Sequence, residues 1–265
     1  MSLSLENYNR KNGVNTVEIF FLGVGEACDP AHGNSSSLIT TSNGTRILLD
    51  CGFSVPHQYF RLIADPLELD YIWISHFHGD HFLGLPLLFL RLWQLGRTRP
   101  LGIVGQKGIE EKVKSVLELA YPTFEKKLSF SFNFHIIRAL ETVTINGLNW
   151  STALTQHSQY NLGLRLDDGT KKLYYSGDGR ATDQAKKLIH RSDFIIHESF
   201  SMVDTFPYHG SVTSTLLMAD EIEMGQIALV HLDHTVRKNK LDTVKKMVAL
   251  RPHALLPVAE TRVTF

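Results

Sequence analysis

Apolar positions along this chain recur in two rhythms, as short runs or alternations and as longer stretches with a helical period, with Gly, Pro, Asn or Asp between them. The first rhythm predicts strands at 17–22, 36–40, 46–49, 71–74, 101–104, 130–136, 142–145, 148–150, 161–166, 172–175, 193–200, 226–230 and 254–256. Asn43-Gly44 and Asn146-Gly147 lie between consecutive strands and predict hairpins, because Asn-Gly readily takes the positive backbone angles of a tight turn. Asp167-Asp168-Gly169 predicts a third hairpin. The helical period predicts a helix from Phe82 to Leu95, interrupted near Pro86 and ended by Gly96. A second runs through Ile109, Val113, Val116, Leu117 and Ala120 and stops before Pro122. Further helices are expected at 182–190, at 214–224 with Gly225 as terminator, and at 240–250. Phe130, Phe132 and Phe134 alternate with polar residues and are read as core rather than as a platform for stacked bases.

The strand at 71–74 is continuously apolar and runs into His76-Phe77-His78-Gly79-Asp80-His81. His76 and His78, two residues apart in an extended turn, project to one side and can grip one cation, while Asp80 and His81 point elsewhere. A catalytic zinc needs only three protein ligands. Four candidates in six residues therefore suggest two cations, which in such sites lie about 3.5–4 Å apart. Three later strands also end in ligand-type residues: His157 ends the strand-like segment that follows the 142–150 hairpin, Asp178 follows Ser176-Gly177, and His231 follows 226–230. Gly23-Val24-Gly25 lacks the Lys-Ser/Thr of a phosphate loop and is read as a tight turn under the site.

Composition narrows the picture further. With 43% hydrophobic residues the chain can bury a full core, and its formal net charge of zero gives no global attraction to nucleic acid. Arg91, Arg97 and Arg99 are read as a solvated basic face. Two cysteines, Cys28 and Cys51, are too few for a disulfide framework and are expected to be free core thiols. Neither a signal peptide nor a membrane span is visible, so a cytoplasmic protein without membrane attachment is expected. Candidate ligands come from both halves, which predicts a single domain over 1–265, with 1–15 as a flexible N-terminus.

His76-Phe77-His78-Gly79-Asp80-His81 resembles the HxHxDH signature of the metallo-β-lactamase superfamily, and Gly84-Leu85-Pro86 resembles its continuation in the ribonuclease Z branch. Leu48-Leu49-Asp50-Cys51-Gly52 is similar to the superfamily's first motif, in which the acid orients ligands. The setting of His157 resembles the third motif, Gly177-Asp178 the bridging aspartate, and His231 the last ligand. His197-Glu198-Ser199 and His209-Gly210-Ser211 are similar to two elements of the ribonuclease Z branch whose glutamate and histidine act as a proton-donating pair. Thr235-Val236-Arg237-Lys238 departs from the Ser-x-Arg-Tyr usual there.

The resemblance implies a four-layer αββα sandwich of α/β class and two zinc ions, with manganese or iron also compatible. One ion would take His76, His78 and His157, the other Asp80, His81 and His231, with Asp178 between them. Asp80, His209 and Glu198 would be the catalytic residues, His209 protonating the leaving oxygen while Glu198 orients it. His234 is left out of the ligand set, and His253 is read as structural. The implied activity is hydrolysis of phosphodiesters, in tRNA 3′ processing or on other RNA, by a protein that is commonly a homodimer. Only a short hairpin separates His157 from Asp178, where the branch usually carries a long tRNA-clamping arm, so a small-molecule phosphodiesterase or esterase is the alternative. A non-hydrolytic metal or redox protein is a third reading; di-iron relatives of this kind usually place an acid where His78 stands.

Overall fold

The computed structural model describes residues 16–265, so the expectation for 1–15 lies outside the described residues. The chain forms fifteen strands and seven α-helices among these residues. In order they are β1 (Glu18–Gly23), β2 (Ser36–Thr40), β3 (Arg46–Leu49), α1 (Val55–Leu62), β4 (Tyr71–Ile74), α2 (Gly79–Phe82), α3 (Leu85–Gln94), β5 (Leu101–Gly105), α4 (Ile109–Ala120), β6 (Phe132–Ile136), β7 (Thr142–Ile145) and β8 (Leu148–Gln156). There follow β9 (Leu162–Asp167), β10 (Lys172–Tyr175), β11 (Arg180–Ala181), α5 (Asp183–Ile189), β12 (Phe194–Glu198), α6 (Val212–Glu221), β13 (Gln226–Val230), α7 (His234–Ala249), β14 (Ala254–Leu255) and β15 (Arg262–Thr264).

Two sheets result. The first has the order β15-β1-β2-β3-β4-β5-β6 and the second β11-β8-β9-β10-β12-β13-β14, with β7 paired to β8. Each begins with antiparallel pairs and changes to parallel pairing, at β3–β4 in the first sheet and at β10–β12 in the second. Alternation of side chains across a strand gives each sheet two apolar faces, and both are covered. Between the sheets pack Phe21, Ile47, Trp73, Trp150, Leu164, Phe194 and Ala228, contributed by both. On the outer side of the first sheet α1, α3 and α4 bring Tyr59, Leu88, Phe89 and Val113 against Ile72 and Ile103. Outside the second sheet α5, α6 and α7 bring Ile189, Leu216 and Val244 against Ile195 and Ile227. The layers are therefore helices, sheet, sheet, helices, as expected for the αββα sandwich. Among the described residues no helix is long and apolar enough to cross a membrane.

Several elements depart from the sequence expectation. The break in the helix after the histidine cluster falls at Leu83-Gly84 rather than at Pro86. Pro86 sits in the first turn of α3, where its missing N–H costs nothing. Helix α6 starts at Val212, because Ser211 caps it with a reciprocal bond to Ser214, and it ends at Glu221, so Gly225 does not terminate it. Gly225 instead packs its bare Cα against the carbonyl of Asp193, where a Cβ would come within 1.9 Å. Helix α7 begins six residues before the predicted Lys240, capped by Asp233, whose carboxylate accepts from the N–H groups of Thr235 and Val236. Helix α1 and strand β15 were not read from the pattern.

Two side-chain expectations are corrected. Cys51 is buried, but Cys28 is exposed and is not a core thiol. Arg97 is 2% exposed and is no part of a solvated face. Its guanidinium donates to the carbonyls of Leu67, Leu69 and Pro100 at 2.8–2.9 Å, tying the loop before β4 to the loop before β5. A buried cation is tolerable here because three carbonyls replace its water. Arg97→Leu takes its donor from the Pro100 carbonyl and leaves those of Leu67 and Leu69 only the longer bonds from Arg99, at 3.4 and 3.3 Å; it is expected to lower stability by about 2 kcal/mol, read as a shift of the urea unfolding midpoint.

Candidate dinuclear metal centre

Strand β4 ends at Ile74, and the chain turns through Ser75 and His76 toward the short helix α2, whose first turn carries Asp80 and His81. The turn is tight because Gly52, after β3, lies directly on the carbonyl of Asp80, where a Cβ would come within 1.8 Å. His157 follows β8, Asp178 follows β10, Glu198 ends β12 and His231 follows β13. The functional side chains thus gather where strands of both sheets end, the place where open α/β sheets bind ligands.

Two four-residue sets of converging atoms result, and a third group, Asp178 with Glu198 and His209, adjoins them. His76, His78, His157 and Asp178 form one, and Asp80, His81, Asp178 and His231 the other, with the donor atoms of each set within 4.8 Å of one another. In the first, His78 Nδ1 lies 3.0 Å from His76 Nε2 and 3.1 Å from His157 Nε2, and Asp178 Oδ2 is 3.9 Å from both of those ring nitrogens. In the second, Asp178 Oδ1 is 3.2 Å from His81 Nε2 and 3.5 Å from His231 Nε2, while Asp80 Oδ2 is 3.3 and 3.2 Å from the same two nitrogens. Asp178 therefore turns one oxygen to each set. His81 Nε2 and Asp178 Oδ1 are buried and make no hydrogen bond despite their approach, so they point at a shared third position rather than at each other. Six imidazole and carboxylate side chains around Asp178, with unpaired buried atoms among them, fit a pair of divalent cations.

The surrounding bonds fix which ring nitrogen faces the centre. Ser75 Oγ donates to Asp50, so it accepts from His76 Nδ1 and leaves Nε2 with its lone pair turned inward. His81 Nδ1 donates to Asp50 Oδ2 at 2.7 Å, and His157 Nδ1 donates to the carbonyl of Tyr208 at 2.9 Å. Asp50 is fully buried and also accepts from the Ser75 N–H and the Tyr175 hydroxyl. Both Asp50 and His231 hold positive φ, 55° and 58°, an unusual backbone for residues other than glycine and one often found at functional sites.

Electrostatics follow from burial and neighbours. Burial holds His76 well below the ordinary histidine range and also lowers His78, which favours the neutral, ligating form. Burial works the same way on His81 and His231, yet Asp178 and Asp50 carry His81 well above its ordinary value, and Asp178 with Asp80 raises His231 to about 9. Burial also opposes the charge on Asp80, but hydrogen bonds from His231 and His81 outweigh it and hold the carboxyl far below the usual range. For Asp178 burial is outweighed by the charges of His231 and His81.

Beside the second set stands another pair. His209 Nδ1 makes a very short hydrogen bond to Glu198 Oε1, and the other Glu198 oxygen accepts from the N–H groups of Gly179 and Gly210 at 2.6 and 2.9 Å. The ring of Phe200 stacks on His209 at 4.5 Å. Burial lowers the His209 pKa, but the Glu198 bond prevails and raises it.

Every residue singled out for metal binding or catalysis is therefore brought to one place. His234 is exposed, 3.4 Å from Glu26, and belongs to neither set. Sequence reading missed Ser75, Tyr175 and Asn161. The Asn161 amide donates to the carbonyls of Ser176 and Asp178 and accepts from the Asp178 N–H, clamping the turn that aims Asp178. An asparagine opening a buried strand was the one available signal.

The fold and this pairing of ligand sets define a metallo-β-lactamase fold protein. It superposes on the metallo-β-lactamase fold protein YhfI from Bacillus subtilis with a TM-score of 0.77, at 18% identity over 95% of this chain and 100% of the other. Human tRNase Z, short form, gives a TM-score of 0.76 at 21% identity, covering 93% of this chain and 98% of its own. Within that fold the chain belongs to the family described as Anti-Pycsar protein Apyc1, whose profile matches residues 17–255. A ribonuclease Z of Methanothermobacter thermautotrophicus is 32% identical over 152 residues, 57% of this chain and 48% of that relative, so the match spans about half the relative's length.

Asp50→Asn keeps the shape of the side chain but sets an amide against the Nδ1–H of His81. We expect the zinc affinity of the second set to fall about 10–100-fold, measured by competition with a chromogenic chelator.

Proposed function

We propose that this chain is a dinuclear-metal phosphodiesterase. His76, His78 and His157 would hold one cation and Asp80, His81 and His231 the other, with Asp178 between them. Zinc suits these nitrogen-rich sets best, and manganese or iron would fit similar groups. When bound, the two cations lower the pKa of water to about 7 and take up charge on the attacked phosphate. The carboxylate of Asp80 orients the attacking water.

The observation that carries the reading is the Glu198–His209 pair. Hydrolysis of a diester expels an alkoxide, which needs a proton as the P–O bond breaks. His209 supplies it. Nδ1 is engaged by Glu198, so Nε2 is the atom that delivers the proton, and the stacked Phe200 holds the ring in line. Two backbone N–H groups bind the other oxygen of Glu198 and fix the carboxylate against the ring. His209 is in neither of the two four-residue sets and shares only Asp178 with them through the third group, so its proton would cycle without releasing a cation from either.

A small diester, cyclic phosphodiesters included, is the substrate this architecture favours. The β9–β10 turn is the whole of the insertion between His157 and Asp178 apart from short loops, and its Asp168 accepts from the Ser42 N–H at the tip of the β2–β3 hairpin. That tip lies about 20 Å along β10 from Asp178, at the far end of the sandwich. It cannot clamp a long substrate at the centre. The zero net charge supplies none of the phosphate attraction on which non-specific RNA affinity depends. RNA, including tRNA 3′ ends, is the second reading, supported by the 32% identity to a ribonuclease Z. We also propose the homodimer implied by the sequence resemblance.

The deciding assay offers the zinc-loaded chain a chromogenic diester, a cyclic phosphodiester and a 3′-extended precursor tRNA, with Asp80→Ala as control. Turnover of the small diesters with intact tRNA is expected; accurate trailer removal would select the RNA reading, and no cleavage of any of them would sink the phosphodiesterase. His209→Ala should cut kcat on an alkoxide-releasing diester about 10²–10⁴-fold while both zinc ions stay bound. Because Glu198 raises the His209 pKa, the acid form persists above the ordinary histidine range, and kcat should fall as pH rises through the raised value. Glu198→Gln should move that alkaline limb to lower pH, and an unmoved limb would remove His209 from the donor role.

A further inference from the structure

His209 does not sit on a helix or strand. It closes the exposed loop 202–209 between β12 and α6, whose base is joined by a bridge between Ser201 and Ser211. Val203, Phe206 and Tyr208 are each about half exposed, so the apolar packing of the loop is limited to Met202 at its start, an edge contact of Phe206 with Phe200 and the stack of Phe200 on His209. What holds it is a set of bonds to backbone carbonyls. Four consecutive carbonyls accept from three side chains on the neighbouring strand edge: Phe206 O from Arg180 Nη2 at 2.6 Å, Pro207 O from Gln156 Nε2 at 2.9 Å, Tyr208 O from His157 Nδ1 at 2.9 Å and His209 O from Arg180 Nε at 2.9 Å. The remaining Arg180 nitrogen, Nη1, lies 3.7 Å from Asp204 Oδ2 on the same loop.

We propose that Arg180, assisted by Gln156, is the positioning residue that fixes His209 over the metal centre. Its site is built into the fold. Arg180 opens β11, which pairs antiparallel with β8 so that Arg180 stands opposite Gln156, one residue before His157. The planar guanidinium reaches the first and last of the four carbonyls at once, including that of His209 itself. An ammonium has no rigid fork and cannot span them in the same way. Arg180 touches no reacting atom; it acts through the loop. The strands that deliver His157 and Asp178 to the cations thereby also set where the proton donor stands.

This assignment rests on the phosphodiesterase reading for its kinetic test but not for its structural one. Arg180→Gln and Arg180→Lys would be compared with wild type and His209→Ala on two diesters, one releasing a nitrophenolate that needs no proton, one releasing an alkoxide that does. The expected result for Arg180→Gln is a loss of about 100-fold on the alkoxide substrate and under about tenfold on the nitrophenolate, with two zinc ions retained. Arg180→Lys should fall between. Adding Arg180→Gln to His209→Ala should cost little more than His209→Ala alone, because both remove the same step. Hydrogen exchange over 203–209 should quicken in Arg180→Gln and not elsewhere in the second sheet. Equal losses on both substrates, full additivity, or unchanged exchange in the loop would each overturn the assignment. If wild type cleaves neither diester, the functional reading fails and exchange alone decides whether Arg180 holds the loop.

Discussion

The fold depends on how two buried carboxylates are accommodated. Asp50 and Asp178 lie within the seam between the sheets, 0% and 2% exposed, where an unpaired charge would cost several kcal/mol. Asp50 is satisfied within the protein by Ser75, His81 and Tyr175. Asp178 is not satisfied in this way: its Oδ1 has no aligned partner, and each of its oxygens faces a group of imidazoles. One acid is thus a finished structural joint and the other an open one. That difference divides the work between them, Asp50 fixing how the rings stand and Asp178 offering what the rings surround.

How much of this was legible in the sequence depended on how local the signal was. His76, His78, Asp80 and His81 could be read together because the chain itself places them within six residues. His157, Asp178 and His231 were legible because each follows a recognisable strand and matches a known motif. Tyr175 was not, since a tyrosine ending an apolar strand looks like core until pairing carries its hydroxyl to Asp50, 125 residues away. Arg97 misled for the same reason: among three nearby arginines nothing local marks the one whose carbonyl partners, Leu67 and Leu69, lie about thirty residues earlier. Helix starts were misplaced where a cap decided them, as Ser211 and Asp233 do, because the apolar period sets in only after the cap. The four-layer arrangement was legible from the motif, not from the strand pattern alone.

The proposed proton donor adds a dynamic element. The proposed ligands are held on strand ends and on a short helix packed against Gly52, whereas His209 is held by a loop whose side chains are mostly in solvent. Segments with few buried contacts open at low free energy. Hydrogen bonds to four successive carbonyls offset that weakness while Tyr208 and Phe206 stay half exposed.

The two sheets share a plan. In each, antiparallel pairs give way to parallel ones at a strand, β3 or β10, that leads directly into a buried aspartate, Asp50 or Asp178. The next parallel strand in each, β4 or β12, delivers His76 or Glu198. The molecule can be viewed as two similar halves set face to face, with neither half owning a complete donor set: the first supplies His76, His78, Asp80 and His81, the second His157, Asp178 and His231. A cation held at the seam then works as a rivet between two sheets that otherwise meet through apolar side chains. Its occupancy would then depend on how well the two halves are docked, and a change that loosens the seam at a distance from the histidines would reach the cation through the sheets.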